Sequence, residues 1–90
     1  MKNKIESIYL NIFVKIFKIN TNFQKKLLLK KIDITLNDYK NWDSIQHINL
    51  LTKVEKKFKI KINSKNSNKF NSYASGLRYL KKIKNLYNQI

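Results

Sequence analysis

Asp43 and Ser44 stand directly before a run in which Ile45, Ile48, Leu51, Val54 and Phe58 recur at spacings of three and four. That period places them along one face of an α-helix, and Leu50 broadens the face. Asp43 is a good helix N-cap, and Gln46 stands three residues on, as in a capping box. Ser44 therefore falls in the first turn of a helix that follows a loop, a position that leaves a hydroxyl accessible. Taken alone, an Asp-Ser pair is common helix punctuation. Few other chemistries are open to this chain. It has no Cys, so it offers no thiol nucleophile, no disulfide framework and no Cys-based zinc site. His47 is the single histidine, too few for a histidine metal cluster, and is expected on the polar, solvated side of its helix. No metal-ligand spacing, no paired carboxylates and no glycine-rich phosphate loop can be found, so catalysis by the chain itself is not expected.

Two further segments carry helical periodicity. Near the start, Ile5, Ile8, Ile12 and Ile16 recur at helical spacing, with Tyr9 and Phe13 widening the stripe. Its β-branched content is high, so burial rather than propensity must hold this helix. The last helix runs from about residues 70 or 71 to 86, with Phe70, Tyr73, Leu77 and Leu80 inward, and residues 81–90 prolong it or fray. Between Lys18 and Trp42 the pattern loosens. Asn20-Thr21-Asn22 reads as a helix stop or turn, Leu27-Leu28-Leu29 as one short helical turn, and Ile32, Ile34 and Leu36 alternate like an extended piece with no obvious partner. The region is expected to be a long ordered connection pinned by apolar anchors. Ile60 and Ile62 alternate with lysines, and Asn63 to Lys69 reads as a loop.

At 90 residues the chain makes one domain with a modest core. With no Pro and only Gly76, it has little hairpin chemistry, which favours an all-α fold. The formal charge of +15 raises nucleic acid, acidic lipid or an acidic protein as a partner. Yet 19 of the 20 basic residues are Lys, whereas surfaces that fork onto phosphates recruit Arg. Lys, Asn and Ile fill 45 of the 90 positions, and all three have A- and T-rich codons, so most of the excess charge reads as compositional. The N-terminal segment does not read as a signal peptide, because Lys15 and Lys18 interrupt its apolar run. No stretch approaches the ~18 apolar residues of a membrane span. A cytoplasmic protein is expected.

The stretch Trp42-Asp43-Ser44-Ile45-Gln46-His47-Ile48-Asn49-Leu50-Leu51, continuing to Phe58-Lys59-Ile60-Lys61-Ile62, resembles the acyl carrier protein family. That family's attachment motif is Asp-Ser-Leu at the start of an amphipathic helix, and here it reads Asp43-Ser44-Ile45. In the family the helix closes on a Phe followed by an Ile pair, matching Phe58, Ile60 and Ile62, and a polar loop and a final helix follow, matching the chain through Phe70 to Leu80. The resemblance covers residues 38–80 well. Before them only one amphipathic helix and a long loop correspond. It implies an all-α, three- to four-helix acyl-carrier-like bundle with a long loop between the first and second helices, a single carrier domain over 1–90 with its core at about 4–82. It also implies a covalent 4′-phosphopantetheine on Ser44, installed from coenzyme A by a phosphopantetheinyl transferase using Mg²⁺. Asp43 would help present the serine. The arm would supply the thiol the chain lacks and carry acyl or aminoacyl thioesters between a loading ligase and a downstream acyltransferase or synthase, in fatty acid or lipid biosynthesis or a related pathway. Ile45, Gln46, His47, Asn49 and Lys53 would form the docking face. A phosphodiester on a first-turn serine rests among unpaired N–H groups at the positive end of the helix dipole.

The chain departs from the family in charge. Family members carry an acidic second helix, whereas the residues expected outward here, Gln46, His47, Asn49, Thr52, Lys53, Glu55, Lys56 and Lys57, hold three positive charges and one negative. Partner enzymes should therefore present less basic docking faces. Ile45 in place of Leu is a mild change. A monomer is expected, and nucleic acid is not expected as a partner. A second reading is a basic helical module that binds nucleic acid or an anionic surface through Lys25, Lys26, Lys30, Lys31, Lys56 and Lys57, with Tyr79 and Tyr87 for stacking. For Trp42 the plainer role is a packing plug where the helix begins, and for Tyr73, Leu77 and Tyr79 it is core.

Overall fold

The computed structural model describes residues 4–88, with side chains through residue 84. Four α-helices follow one another: α1 (Lys4–Phe17), α2 (Thr21–Leu28), α3 (Ser44–Phe58) and α4 (Tyr73–Asn88), with a 3₁₀ turn at Ser67–Phe70 before the last. The described chain is thus all-α, and α3 and α4 both pack on α1. None of the described helices is long and apolar enough to cross a membrane.

The aromatic residues of α1 decide which way it faces. Tyr9, Phe13 and Phe17 are buried at helical spacing with Leu10 and Ile12, while Ile5 and Ile16 are half-buried and Ile8 is exposed. The isoleucine stripe expected as the core face is therefore rotated toward its edge. Both sets share the same period, and the larger rings gain more from leaving water. Phe13 is the hub, meeting Tyr9, Phe17, Tyr73 and Trp42 at ring-centroid distances of 4.8–5.6 Å.

With a single glycine, the chain closes its helices on other residues. Lys18 (φ 53°) ends α1, Lys30 (φ 61°) follows α2 and Lys59 (φ 55°) ends α3, all left-handed positions usually given to Gly. Two residues after Lys18, Asn20 caps α2 by accepting the Phe23 N–H at 2.8 Å. The expected long connection is therefore interrupted by an eight-residue helix, not one turn, and Leu27 is its buried anchor. The extended piece does have a partner. Thr35 forms an antiparallel bridge with Ser72, Leu36 N–H donates to Asn71 O at 2.8 Å, and Tyr73 N–H donates to Ile34 O at 2.9 Å. Asp33 Oδ1 also accepts the Ala74 N–H at 2.9 Å, tying this segment to the first turn of α4.

α4 begins at Tyr73, two or three residues later than its pattern indicates, because Ser67–Phe70 forms the 3₁₀ turn inside and just after the expected loop. Phe70, Tyr73, Leu77 and Leu80 are all buried as expected, and Tyr79 is half-buried against Phe70. The helix continues to Asn88, so the tail beyond Leu80 is helical as far as it is described; residues 89 and 90 and the side chain of Tyr87 lie outside the described residues. Tyr73 Oη donates to Glu6 Oε2 at 3.1 Å, so the one buried acid of α1 is held by a residue of α4.

Candidate functional site

The turn preceding α3 is built on two left-handed asparagines, Asn37 (φ 71°) and Asn41 (φ 70°). Asn37 N–H donates to Trp42 O at 3.0 Å and Trp42 N–H to Tyr39 O at 3.1 Å, folding residues 37–42 on themselves. Tyr39 packs its ring against Phe23 of α2, which anchors the turn from the outside. Trp42, 1 % exposed, plugs into α1 between Phe13 and Phe17. Truncating a side chain buried this way costs about 3–5 kcal/mol. It is the packing plug that the sequence indicated, and it fixes where the helix can start.

Asp43 then turns the chain into α3. Its backbone is extended (φ −101°, ψ −172°), its carbonyl accepts the His47 N–H at 2.9 Å, and its Oδ1 accepts the Gln46 N–H at 3.0 Å. The expected cap is present but the box is half made. The Gln46 side chain turns away from Asp43, and its Oε1 accepts Asn49 Nδ2 at 3.1 Å. Ser44 is the first residue of the helix and is exposed. The N–H groups of Ser44 and Ile45, at the first and second helical positions, have no intrahelical acceptor and can serve an anion on the serine oxygen.

The apolar residues of α3 split into two faces. Leu50, Val54 and Phe58 are buried and Leu51 is half-buried, but Ile45 and Ile48 are 70 % and 63 % exposed. The assignment of Ile45 and Ile48 to the inward stripe is thereby corrected: the surface of α1 meets α3 along the Leu50–Val54–Phe58 edge, and these two isoleucines flank Ser44 on the outside. His47 takes the inward place at that end. It is half-buried rather than solvated, and its Nδ1 accepts the Trp42 indole N–H at 3.1 Å. Burial lowers its pKa, with the nearby Ser67 backbone acting in the opposite sense. Glu55, expected outward, is half-buried, and its Oε2 accepts the Ile62 N–H at 2.7 Å, which pins the Phe58–Ile62 exit.

No family model matches the chain, and it matches no curated protein and no solved structure.

Of the residues assigned to a docking face, Ile45, Asn49 and Lys53 are exposed, with Lys53 more than two helical turns beyond Ser44, Gln46 is half-buried, and His47 is turned into the packing against Trp42. Ile48, expected inward, is exposed about one turn beyond Ser44; helical periodicity marks it as apolar without saying which neighbour covers it. Asp43 supplies the negative charge at the N-terminus, and Lys53, Lys56 and Lys57 make the rest of the exposed face positive. Lys56 and Lys57 also stand in the last turn, where cations complement the helix dipole. Among the described residues no group of three or more His, Cys, Asp or Glu side chains is placed to hold a metal ion.

Proposed function

We propose that the chain is an acyl carrier protein in which Ser44 is the attachment point for 4′-phosphopantetheine. The observation that carries this reading is an exposed serine at the first helical position, next to a capping aspartate and flanked by two exposed isoleucines. The requirements of such a site are few and the residues fit them. The hydroxyl has to enter a transferase, and Ser44 is exposed. The grafted phosphodiester needs neutralising dipoles, and the first-turn N–H groups of Ser44 and Ile45 supply them. Nothing in the chain needs to activate the oxygen, because a transferase brings its own base and Mg²⁺. When attached, the arm contributes a thiol on which acyl groups ride as thioesters.

In this reading Ser44 is a tether, Asp43 orients the helix start and presents its carboxylate to the transferase, and Ile45 and Ile48 offer apolar docking surface. The chain itself catalyses nothing, acts in the cytoplasm and adopts an acyl-carrier-like bundle. Its loading ligase and acyltransferase present neutral or acidic faces to the lysines of α3. Production of the protein together with a broad-range phosphopantetheinyl transferase, followed by intact mass measurement, tests the reading. A gain of one phosphopantetheine, abolished by Ser44→Ala, is the expected result. An unmodified wild-type mass, or a modification that survives Ser44→Ala, overturns it.

A further inference from the structure

A second surface lies at the opposite end of the molecule. α1 spans about 20 Å at 1.5 Å per residue. Trp42, just before Ser44, meets the C-terminal half of α1 at Phe13 and Phe17, while Lys57 near the end of α3 shares a cleft with Ile8 and Leu28. α3 thus runs antiparallel to α1, and the C-terminal end of α2 sits at the pole away from Ser44.

That pole carries two adjacent protruding leucines. Leu28 and Leu29 are 46 % and 66 % exposed, and Ile8 extends the apolar surface onto α1. The backbone holds them out. Lys30 N–H donates to Leu27 O and Lys31 N–H to Lys26 O, closing α2 in a Schellman turn that sends Leu27 inward and leaves the next two leucines in water. Lys25, Lys26, Lys30 and Lys31 surround them, all exposed. Lys30 and Lys31 also line a cleft of about 520 Å³ with Arg78 and Lys81 of α4, so the positive surface is continuous across two helices. Two carboxylates face the same cleft, Glu6 and Asp33, and each already accepts a hydrogen bond, from Tyr73 Oη and the Ala74 N–H respectively.

We infer that this pole docks reversibly on an anionic lipid bilayer, with Leu28 and Leu29 entering the headgroup–acyl boundary and the surrounding lysines meeting the headgroups. Apolar side chains ringed by Lys match both layers of such a surface, since the long stems lie along the apolar boundary while the ammonium groups stay wet. A nucleic acid fits less well. Its phosphodiester backbone gives two protruding aliphatic residues nothing to contact, and among the described residues the patch offers one Arg and no exposed aromatic for base stacking. Docked this way, the chain keeps Ser44 facing away from the membrane, yet the inference does not rest on the carrier reading.

The test uses the full-length Ser44→Ala chain, so no arm contributes, in co-sedimentation with vesicles of phosphatidylcholine alone or mixed with phosphatidylserine. Binding to the mixed vesicles only is expected, weakening with salt. The double variant Leu28→Ser/Leu29→Ser, shown to be folded by circular dichroism, should bind roughly tenfold more weakly or worse. A Leu29→Trp variant should shift its emission to the blue on the mixed vesicles, above the constant background of buried Trp42. Unchanged binding by the double variant, an unshifted Leu29→Trp emission, or duplex DNA binding that matches the vesicles and ignores the leucines would each overturn the inference.

Discussion

The indole N–H of Trp42 donates to Nδ1 of His47 at 3.1 Å, with the two rings 5.9 Å apart, across the residues where the chain enters α3. An indole nitrogen can only donate, so His47 must keep Nδ1 unprotonated to accept. The bond therefore exists only with a neutral imidazole. It joins the plug that locates the helix start to the first turn that carries Ser44, which makes the order of this corner dependent on the charge of one ring.

Stability should consequently fall with acidification. The folded protein lowers the His47 pKa through burial, so the unfolded chain, with an ordinary value of about 6.5, takes up the proton first. Its contribution is fully present above that pH and is lost as pH falls through the folded value. Urea denaturation of wild type and His47→Gln from neutral pH to about pH 5 measures it, as the His range. The wild type should show the steeper loss; identical slopes would refute the coupling.

Asp43 has two separable duties. Asp43→Ala removes the acceptor for the Gln46 N–H and should lower stability by about 1 kcal/mol, read by denaturant titration. Asp43→Asn keeps a comparable cap and should leave stability near wild type. Under the carrier reading it should nonetheless slow loading by the transferase, because the negative charge is gone. Loading of Asp43→Asn at the wild-type rate would limit the aspartate to capping.

Gly76 is required by a close approach, not by its backbone angle. A Cβ there would collide with the Tyr9 hydroxyl and come within 2.7 Å of Phe70 Cδ1. Gly76→Ala should cost about 1–3 kcal/mol by overpacking. Tyr9 Oη is buried with no hydrogen-bond partner among the described residues, so Tyr9→Phe should leave the melting temperature equal or higher. The double variant Tyr9→Phe/Gly76→Ala should be less destabilised than Gly76→Ala, since removing the hydroxyl opens the space that the methyl needs. Strictly additive melting shifts would mean that Phe70, rather than Tyr9, sets the limit.

Local spacing alone determined that three long segments are helical, that Asp43 caps the middle one of them, and that Ser44 lies in its first turn. Those properties depend on residues within one or two turns of each other, and hydrophobic period and capping chemistry act at that range. Composition likewise excluded thiol chemistry and made a sheet improbable for a chain with one glycine and no proline. Tertiary contact decided the rest. α2 was legible only as a stop and one turn, because Asn20 reads equally as the end of one helix and the cap of the next, and Lys18 holds the left-handed position where a Gly would have marked the break. The extended segment found its partner at Ser72, 37 residues away, and Glu6 met Tyr73 across 67. Within α3, apolar residues occupy more of the circumference than α1 can cover. Period shows that a stripe exists, but the shape of the neighbouring helix chooses which edge is buried. That choice put Leu50 inside, His47 against Trp42, and Ile45 and Ile48 in water beside the serine.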